Sequence, residues 1–562
     1  MIYNYIRKNF LFILLLPSVF VLACFNISDF DSWIHLSSGR HMVEGRSFIT
    51  HEVFVYPALN APVTNPYWLF QILLYLSFKA GGLAGIVVFK AFIVSIIFLF
   101  FAKLLREFGV SPIYIFIFSL LTAVLVRFRF VERPEILAYL FFVIFLFVFT
   151  KAYYSDTKLI YVLPLIQILW ANSHQSASLG IMLAVVFTAA IVFEKYFLMS
   201  AELPKDKKKK ISVYLSLIFL ISIGYLINPY SYKNIFSPAS LATNIEVTQS
   251  INELQPVTFD PTYFTVYLTV LIIGVIVIFL NFRKIPSAWI ALFCISAFTS
   301  FRIVRALPLF FFVSVPLIAG SVEGLAGHRG RFKKMYPAAV FSIIAAVVMY
   351  SGIYGRYAFG FGEEKRLFAP GAVDFLRREN LSDKRMFNYF GWGGYLSWKL
   401  GEGKVFIDGR YAEGGILNDY DHILAASPGY KELLEKYGLE IIVTNSIGFS
   451  DGMIYPLINA LGNDSSWRPV YADSSSIIFA DLEKNSLLRE IPYSMVLGEM
   501  IDEGEYLYAI GVRGEIEKTL GRLYLKKKDY KTAKYYYGIW LKRNPADSAA
   551  RGIYELLTNM GY

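Results

Sequence analysis

The chain has 562 residues, of which 56% are hydrophobic and 17% aromatic, and its mean hydropathy is +0.49. A soluble protein could not bury so large an apolar fraction, because its surface is too large a share of the molecule. Composition therefore excludes a soluble globular protein and predicts a polytopic membrane protein. The formal net charge of +11 is explained by basic cytoplasmic loops, so nucleic-acid binding is not expected.

Eleven apolar runs approach or reach the length of about 18–20 residues that crosses a hydrocarbon core. They cover residues 10–26, 83–105, 112–127, 134–150, 158–172, 178–198, 211–228, 262–281, 286–301, 303–322 and 336–354. The stretch 66–79 is short and aromatic and precedes Gly81-Gly82. We expect it to be an interfacial helix that leads into the next span. The two cysteines, Cys24 and Cys294, fall inside spans and predict neither a disulfide framework nor a metal site.

The distribution of basic residues predicts the topology. Arg7 and Lys8 precede the first apolar run without a convincing cleavage site, which indicates an uncleaved signal-anchor. With the N-terminus in the cytoplasm, every inside segment carries basic residues, and the run Lys207 to Lys210 lies inside. We therefore expect a multi-pass protein of the cell (inner or plasma) membrane whose C-terminal region lies outside.

The segment after the first span carries two carboxylates and an imidazole, Asp29, Asp31 and His35. Charged groups at a bilayer edge are usually paired, hydrated or functional. If the segment is extended, Asp29 and Asp31 point the same way and face one site. Such a pair can hold a divalent cation, Mg²⁺ or Mn²⁺, or one member can act as a general base. His35 is a further candidate ligand or acid/base group. The alternative is that the aspartates are solvated residues at a span exit.

Arginines also lie at span ends on the outer side of the membrane, although the positive-inside rule places most basic residues on the cytoplasmic side. One interpretation is snorkelling, or pairing with Glu132 and Glu135. The other is an anion site, because the guanidinium fork matches phosphate oxygens. The candidate phosphate-binding residues are Arg127, Arg129, Arg133, Arg302 and Arg305, and further polar residues on the same side are Asn172, His174 and Asn228.

After residue 360 helical and strand patterns alternate, which predicts a small α/β domain. Its expected strands are 385–389, 404–408, 440–444 and 475–480, and its polar turns are GWGGY at 391–395 and DGR at 408–410. The GxGxxG nucleotide fingerprint is absent. Residues 514–547 fit one tetratricopeptide unit, and residues 548–561 fit a capping helix. This tail predicts a protein contact.

The chain resembles the glycosyltransferase superfamily with the GT-C fold. The resemblance covers about residues 1–355 and is carried by DFDSWIHLSSGRHMVEG at 29–45, Arg133-Pro134, LWANSHQSASLG at 169–180 and Asn228-Pro229. It implies an uncharacterised bacterial branch whose acidic motif is Asp29 and Asp31. The tail resembles the arrangement in some membrane mannosyltransferases. The α/β insert departs from the well-characterised members.

The fold expected is an α-helical polytopic membrane domain at 1–355, an outer α/β domain at 360–490 and a tetratricopeptide-like helical tail at 491–562. The function implied is inverting transfer of a hexose or related sugar from a polyprenyl-phosphate donor to an unknown acceptor on the outer face of the membrane. Three alternatives stay open: a lipid-linked glycan ligase, a lipid or glycan transporter, and a non-catalytic membrane assembly protein. Convergence of the aspartates, His174 and several arginines would favour the enzyme.

Overall fold

The computed structural model describes residues 2–196, 207–231, 252–326, 357, 359–410, 415–512 and 514–562. Up to residue 326 the described chain is almost entirely helical. Its helices are α1 (Ile2–Ala23), α2 (Asp31–Gly45), α3 (Trp68–Glu107), α4 (Pro112–Val126), α5 (Glu135–Tyr154), α6 (Leu163–Ala171), α7 (Ser178–Tyr196), α8 (Lys207–Leu226), α9 (Pro261–Asn281), α10 (Ser287–Arg302) and α11 (Leu307–Ala326).

Ten of the eleven predicted spans coincide with helices of the described residues, and the span at 336–354 lies outside them. By length and composition, six described helical segments can cross a membrane. Shorter apolar helices occur at residues 13–23, 158–171, 211–226 and 287–302. The chain therefore has the helices of a multi-pass membrane protein, and the total of eleven spans stays a prediction.

Helix α3 is central to the helical domain and packs against α1, α2 and α5. It runs for 40 residues but is broken at Gly81 and Gly82, where the backbone leaves helical geometry. Gly82 has a φ of 60° and a ψ of −145°, a combination that side chains with a Cβ rarely adopt. Residues 68–79 therefore form a helical arm that is separate from the helix after Gly82, and the interfacial position of this arm stays a prediction.

Helix α2 begins at Asp31, so the extended segment considered above for Asp29 and Asp31 is not what the structure shows. The helix starts there because the Asp29 carboxylate accepts a hydrogen bond from the Asp31 backbone N–H, at 3.0 Å. Unpaired N–H groups in the first helical turn are stabilised by such side-chain acceptors. The two aspartates thus lie close together because one of them binds the first turn of the helix that contains the other.

The C-terminal half begins with a small α/β domain. Its helices are α12 (Pro370–Arg378), α13 (Gly393–Leu400), α14 (Ile416–Leu424), α15 (Tyr430–Lys436) and α16 (Pro456–Gly462). Its strands β1 (Met386–Asn388), β2 (Ile441–Thr444), β3 (Trp467–Ala472) and β4 (Ile477–Asp481) form one sheet in the order β1-β2-β4-β3. Strands β1 and β2 are parallel, whereas the other pairs are antiparallel.

The prediction of a strand at 404–408 is wrong, and strand β3 was not predicted. The Asn388 side-chain oxygen accepts the N–H groups of Phe406 and Ile407, so these groups do not pair with a neighbouring strand. Val405 forms only an isolated bridge, to Val55. The Asn388 side chain therefore accepts the hydrogen bonds that a neighbouring strand would otherwise accept. Strand propensity alone does not reveal such a replacement.

The tail consists of α17 (Tyr493–Ala509), α18 (Ile516–Lys526), α19 (Tyr530–Arg543) and α20 (Ser548–Asn559). Helices α18 and α19 pack together, and α17 covers α18. Glu505 on α17 accepts hydrogen bonds from Tyr524 and Tyr536, so the helical pair is anchored to the preceding helix. The assignment of this tail to the tetratricopeptide class stays a prediction, as do the domain boundaries.

Helix α2 is enclosed between the helical domain and the α/β domain. A Cβ on Gly39 would lie 2.1 Å from the Gln71 carbonyl oxygen of α3, and one on Gly394 would lie 2.7 Å from the Ile34 backbone nitrogen. On the side of the α/β domain, Trp33 packs edge-on against Phe368 and Tyr395. Two glycines therefore permit close backbone approach on opposite sides of α2.

Arg410 of the DGR turn also holds α2. Its guanidinium donates to the hydroxyls of Ser37 and Ser38 at 3.0 and 3.2 Å. The same side chain is bound to Asp408 and lies over the Phe54 ring. The DGR turn and the GWGGY stretch, which the sequence left without a role, therefore contact the helix that begins at Asp31. The prediction of a turn at 391–395 is only partly right, because Gly393 already begins α13.

Replacing Gly394 by alanine is expected to displace α2, because no backbone atom of Ile34 can yield without moving the helix. We expect a loss of about 1–3 kcal/mol in stability, typical of overpacking, and faster hydrogen exchange at residues 31–45. The matched control is Gly498→Ala on α17, where a Cβ meets nothing within 4 Å; it should be neutral or stabilising. Equal effects of the two substitutions would contradict the close packing at Gly394.

Candidate functional site

The acidic motif meets the arginines at the guanidinium of Arg133. Its Nε lies 2.7 Å from Oδ1 of Asp29, and its Nη2 lies 3.1 Å from Oδ2 of Asp31. Its Nη1 lies 3.1 Å from a carboxylate oxygen of Glu253. One arginine thus binds three carboxylates, from the segment after α1, from the start of α2 and from the turn before α9.

A second set of charges adjoins the first. Arg129 binds Glu135 at 3.2 Å and Glu253 at 2.7 Å, and Arg305 is paired with the same Glu135 carboxylate. The Nε atom of Arg129 is buried, and the Tyr139 hydroxyl lies against the same guanidinium. We call the whole set the charge cluster; it comprises Asp29, Asp31, Arg129, Arg133, Glu135, Glu253 and Arg305.

The members of the charge cluster differ in their access to solvent. The Asp29 side chain is 7% exposed, whereas that of Asp31 is 39% exposed. Although this side chain is partly exposed, the protein packed around its carboxylate raises the pKa of Asp31, and Arg133 opposes that rise. The pKa of Glu253 is lowered, because Arg133 and Arg129 outweigh the effect of its burial. Asp31 is therefore the member whose environment favours uptake of a proton.

His35 and His174 both contact the Tyr67 ring, each with its centroid 5.6 Å from that of the tyrosine. Nδ1 of His35 is 3.2 Å from Nε2 of Gln71, and Nδ1 of His174 is 2.7 Å from the Ser176 hydroxyl. Burial lowers the pKa of both imidazoles to about 3, helped by Arg133 at His35 and by Arg129 at His174. Both rings are neutral at physiological pH.

The lowered pKa of these histidines predicts loss of stability in mild acid. Unfolded histidine takes up a proton near pH 6.5, whereas the folded rings do so only near pH 3, so stability falls as the pH decreases from 6.5. Each histidine should contribute at most about 1.4 kcal/mol per pH unit. We expect His35→Gln and His174→Gln each to reduce the difference between melting temperatures at pH 7 and pH 5. An unchanged difference in both variants would contradict the buried neutral state.

The remaining predicted residues lie outside the charge cluster. Arg127 donates to the backbone oxygens of Leu22 and Tyr357. Arg302 is exposed and has no ion pair within the described part of the chain.

The two predicted asparagines are fixed by hydrogen bonds elsewhere. Asn172 accepts a hydrogen bond from the Trp68 indole and donates to the backbone oxygens of Ile168 and Ile227. Asn228 stabilises its own turn through Tyr225 and Tyr230.

Sequence reasoning missed a buried ion pair beside the charge cluster. Lys90 of α3 lies 2.6 Å from Glu132, and both side chains are fully buried. Glu132 also accepts a hydrogen bond from Ser32, next to Asp31. A lysine in the middle of an apolar span is the signal that could have revealed it, because such residues are rare and usually paired. Glu253, by contrast, is a single acid in a loop without any distinguishing pattern.

The charge cluster as placed does not fit a divalent cation. Its two aspartates face a guanidinium rather than each other, and the described residues contain no group of three or more His, Cys, Asp or Glu side chains that could hold a metal ion. Such cations require several oxygen ligands around one point. The need for Mg²⁺ or Mn²⁺ at Asp29 and Asp31 stays a prediction, and no catalytic step below depends on it.

Comparison with known proteins supports the expected fold. No protein-family model matches the sequence, and no curated protein matches it significantly. Eighteen chains of solved structures match, among them the oligosaccharyltransferase of Archaeoglobus fulgidus in its apo form. That likeness has a TM-score of 0.55 at 12% sequence identity and covers 85% of this chain and 75% of the archaeal one. It supports a GT-C-like membrane fold; the bacterial branch and the tetratricopeptide tail stay predictions.

Proposed function

We propose that this protein is a membrane glycosyltransferase that takes a sugar from a polyprenyl-phosphate donor. The observation that carries the proposal is the convergence of Asp29 and Asp31 with Arg129, Arg133 and Arg305. These residues come from three separate parts of the chain. A non-catalytic assembly protein would not require these aspartates and arginines to meet at the start of α2, a helix that is packed on two sides.

The arginines are the candidates for binding the donor. A guanidinium offers two parallel N–H donors to phosphate oxygens, and Glu253 already holds the guanidiniums of Arg129 and Arg133 side by side. As the sugar leaves, negative charge grows on the phosphate of the polyprenyl leaving group. Arginines already fixed in place stabilise that charge more effectively than water does.

Asp31 is the candidate for activating the acceptor. Its carboxylate is more open than that of Asp29, and its pKa is raised. An acceptor hydroxyl or amide attacks the anomeric carbon while its proton passes to Asp31. The bond from the anomeric carbon to the phosphate oxygen breaks, and polyprenyl phosphate leaves. Attack from the side opposite the phosphate inverts the anomeric configuration.

The predicted topology places this reaction on the outer face of the cell membrane, with the donor entering laterally from the outer leaflet. The α/β domain lies beside the charge cluster, because a Cβ on Gly409 would lie 3.5 Å from Oδ1 of Asp31. It is therefore suited to present the acceptor. The helical tail would then contribute a contact with a partner protein.

The direct test uses purified full-length protein in vesicles with a polyprenyl-phospho-hexose labelled in the sugar. We expect label to move to acceptors in a membrane extract, with release of polyprenyl phosphate. Transfer of a whole lipid-linked glycan would indicate the ligase, and passage of uncleaved donor across the bilayer would indicate a transporter.

The predicted cation is tested by measuring the same transfer in EDTA and again after Mg²⁺ or Mn²⁺ is restored.

A further inference from the structure

Glu253 occupies the approach to the two arginines that bind it. It lies 2.7 Å from Nη1 of Arg129 and 3.1 Å from Nη1 of Arg133, so its carboxylate bridges the two guanidiniums. The Glu253 side chain is 30% exposed, whereas those of Arg129 and Arg133 are 4% and 15% exposed. The bridging acid is thus the most accessible of the three.

We propose that Glu253 is an exchangeable counter-ion that takes the place of the donor's phosphate and leaves the arginines when the donor binds. This inference rests on the proposed function, since it assumes that the arginines receive a phosphate. A carboxylate and a phosphate present oxygens to a guanidinium in the same fork geometry, so one can replace the other on this pair.

Charge supports the exchange. With every group ionised, the charge cluster holds four carboxylates and three guanidiniums. An anion that entered with Glu253 still bound would meet a net negative set. If Glu253 moves away, the remaining carboxylates and guanidiniums are equal in number. Exchange of one anion for another also keeps the buried arginines paired in both states, and buried charges without a partner are costly.

The position of Glu253 makes the movement feasible. The neighbouring Gln255 is fixed by its backbone oxygen, which accepts a hydrogen bond from Val304 N–H. Asp260 accepts hydrogen bonds from the first turn of α9. A turn of Glu253 about its side-chain bonds can therefore release the arginines without displacing the segment that follows it.

The test is the binding of a 15-carbon isoprenyl monophosphate to full-length protein in detergent, measured by calorimetry and by ligand-induced thermal stabilisation. We expect Glu253→Gln to bind it about tenfold more tightly than the wild type. Glu253→Asp, which retracts the charge by one methylene, should lie between the two. The matched control is Asp260→Asn, which removes one charge from the same segment while preserving the helix cap, and it should bind like the wild type.

The outcomes separate this inference from the proposed function. If neither Glu253 variant binds more tightly, while Arg129→Gln weakens binding, the arginines receive phosphate and the exchange is wrong. If neither the wild type nor any variant binds the lipid phosphate, the proposed function itself is contradicted. Equal tightening by Asp260→Asn would show a general charge effect and would overturn the assignment to Glu253.

Discussion

Arg133→Gln is expected to abolish both donor binding and sugar transfer. The substitution removes the cation that Asp29, Asp31 and Glu253 share and leaves three carboxylates facing one another. Removing one partner of a buried pair costs about 3–5 kcal/mol, so a marked fall in melting temperature should accompany the loss. Binding of isoprenyl monophosphate and thermal unfolding measure the two effects.

Two further arginine variants sharpen this prediction. Arg133→Lys restores the charge but not the fork, and should recover stability better than it recovers phosphate binding. Arg302→Gln changes an arginine of the same predicted set that the structure places at an exposed position outside the charge cluster. It should bind and transfer like the wild type. If Arg302→Gln were the more damaging substitution, the anion site would be in the wrong place.

Asp31→Asn is expected to reduce sugar transfer strongly while leaving the fold intact. General base catalysis typically contributes about 10²- to 10⁴-fold, and a loss in that range should appear in kcat rather than in donor binding. The raised pKa of Asp31 also predicts that wild-type transfer declines in acid above the ordinary range of an aspartate. That limb of the pH profile should be absent from the residual activity of the variant.

Asp29→Asn provides the comparison. Asp29 is the more buried aspartate, and it binds both Arg133 and the Asp31 backbone. We expect its substitution to lower the melting temperature more than Asp31→Asn does, because it removes a buried charge-assisted hydrogen bond. Transfer that persists in both variants would remove the acidic pair from the mechanism.

The sequence predicted the helical domain well because a membrane-length apolar run leaves the backbone little choice but a helix. It also located the acidic motif and the arginines. It did not show which arginines meet the aspartates. Arg302 and Arg305 are three residues apart, yet Arg302 ends α10 and faces outward, whereas Arg305 lies in the following turn and reaches Glu135.

The parts that failed depend on contacts distant in sequence. The interruption of the expected strand at 404–408 is caused by the Asn388 side chain. Glu253 joins Arg133 across 120 positions. Neither contact can be read from hydrophobic periodicity, because periodicity shows which face of a helix or strand is buried and not which residue packs against it.

The enclosure of α2 has a consequence for how the chain is made. Residues 31–45 are synthesised early, but Arg40 is held by Ser397, which follows it by 357 positions, and Ser37 is held by Arg410 still later. A nascent chain therefore carries its acidic pair through most of translation without the supports that fix it. A chain ending before Gly393 would contain every residue of the charge cluster and still lack these supports of α2. Synthesis of residues 393–410 thus supplies the last supports of the helix that carries Asp31.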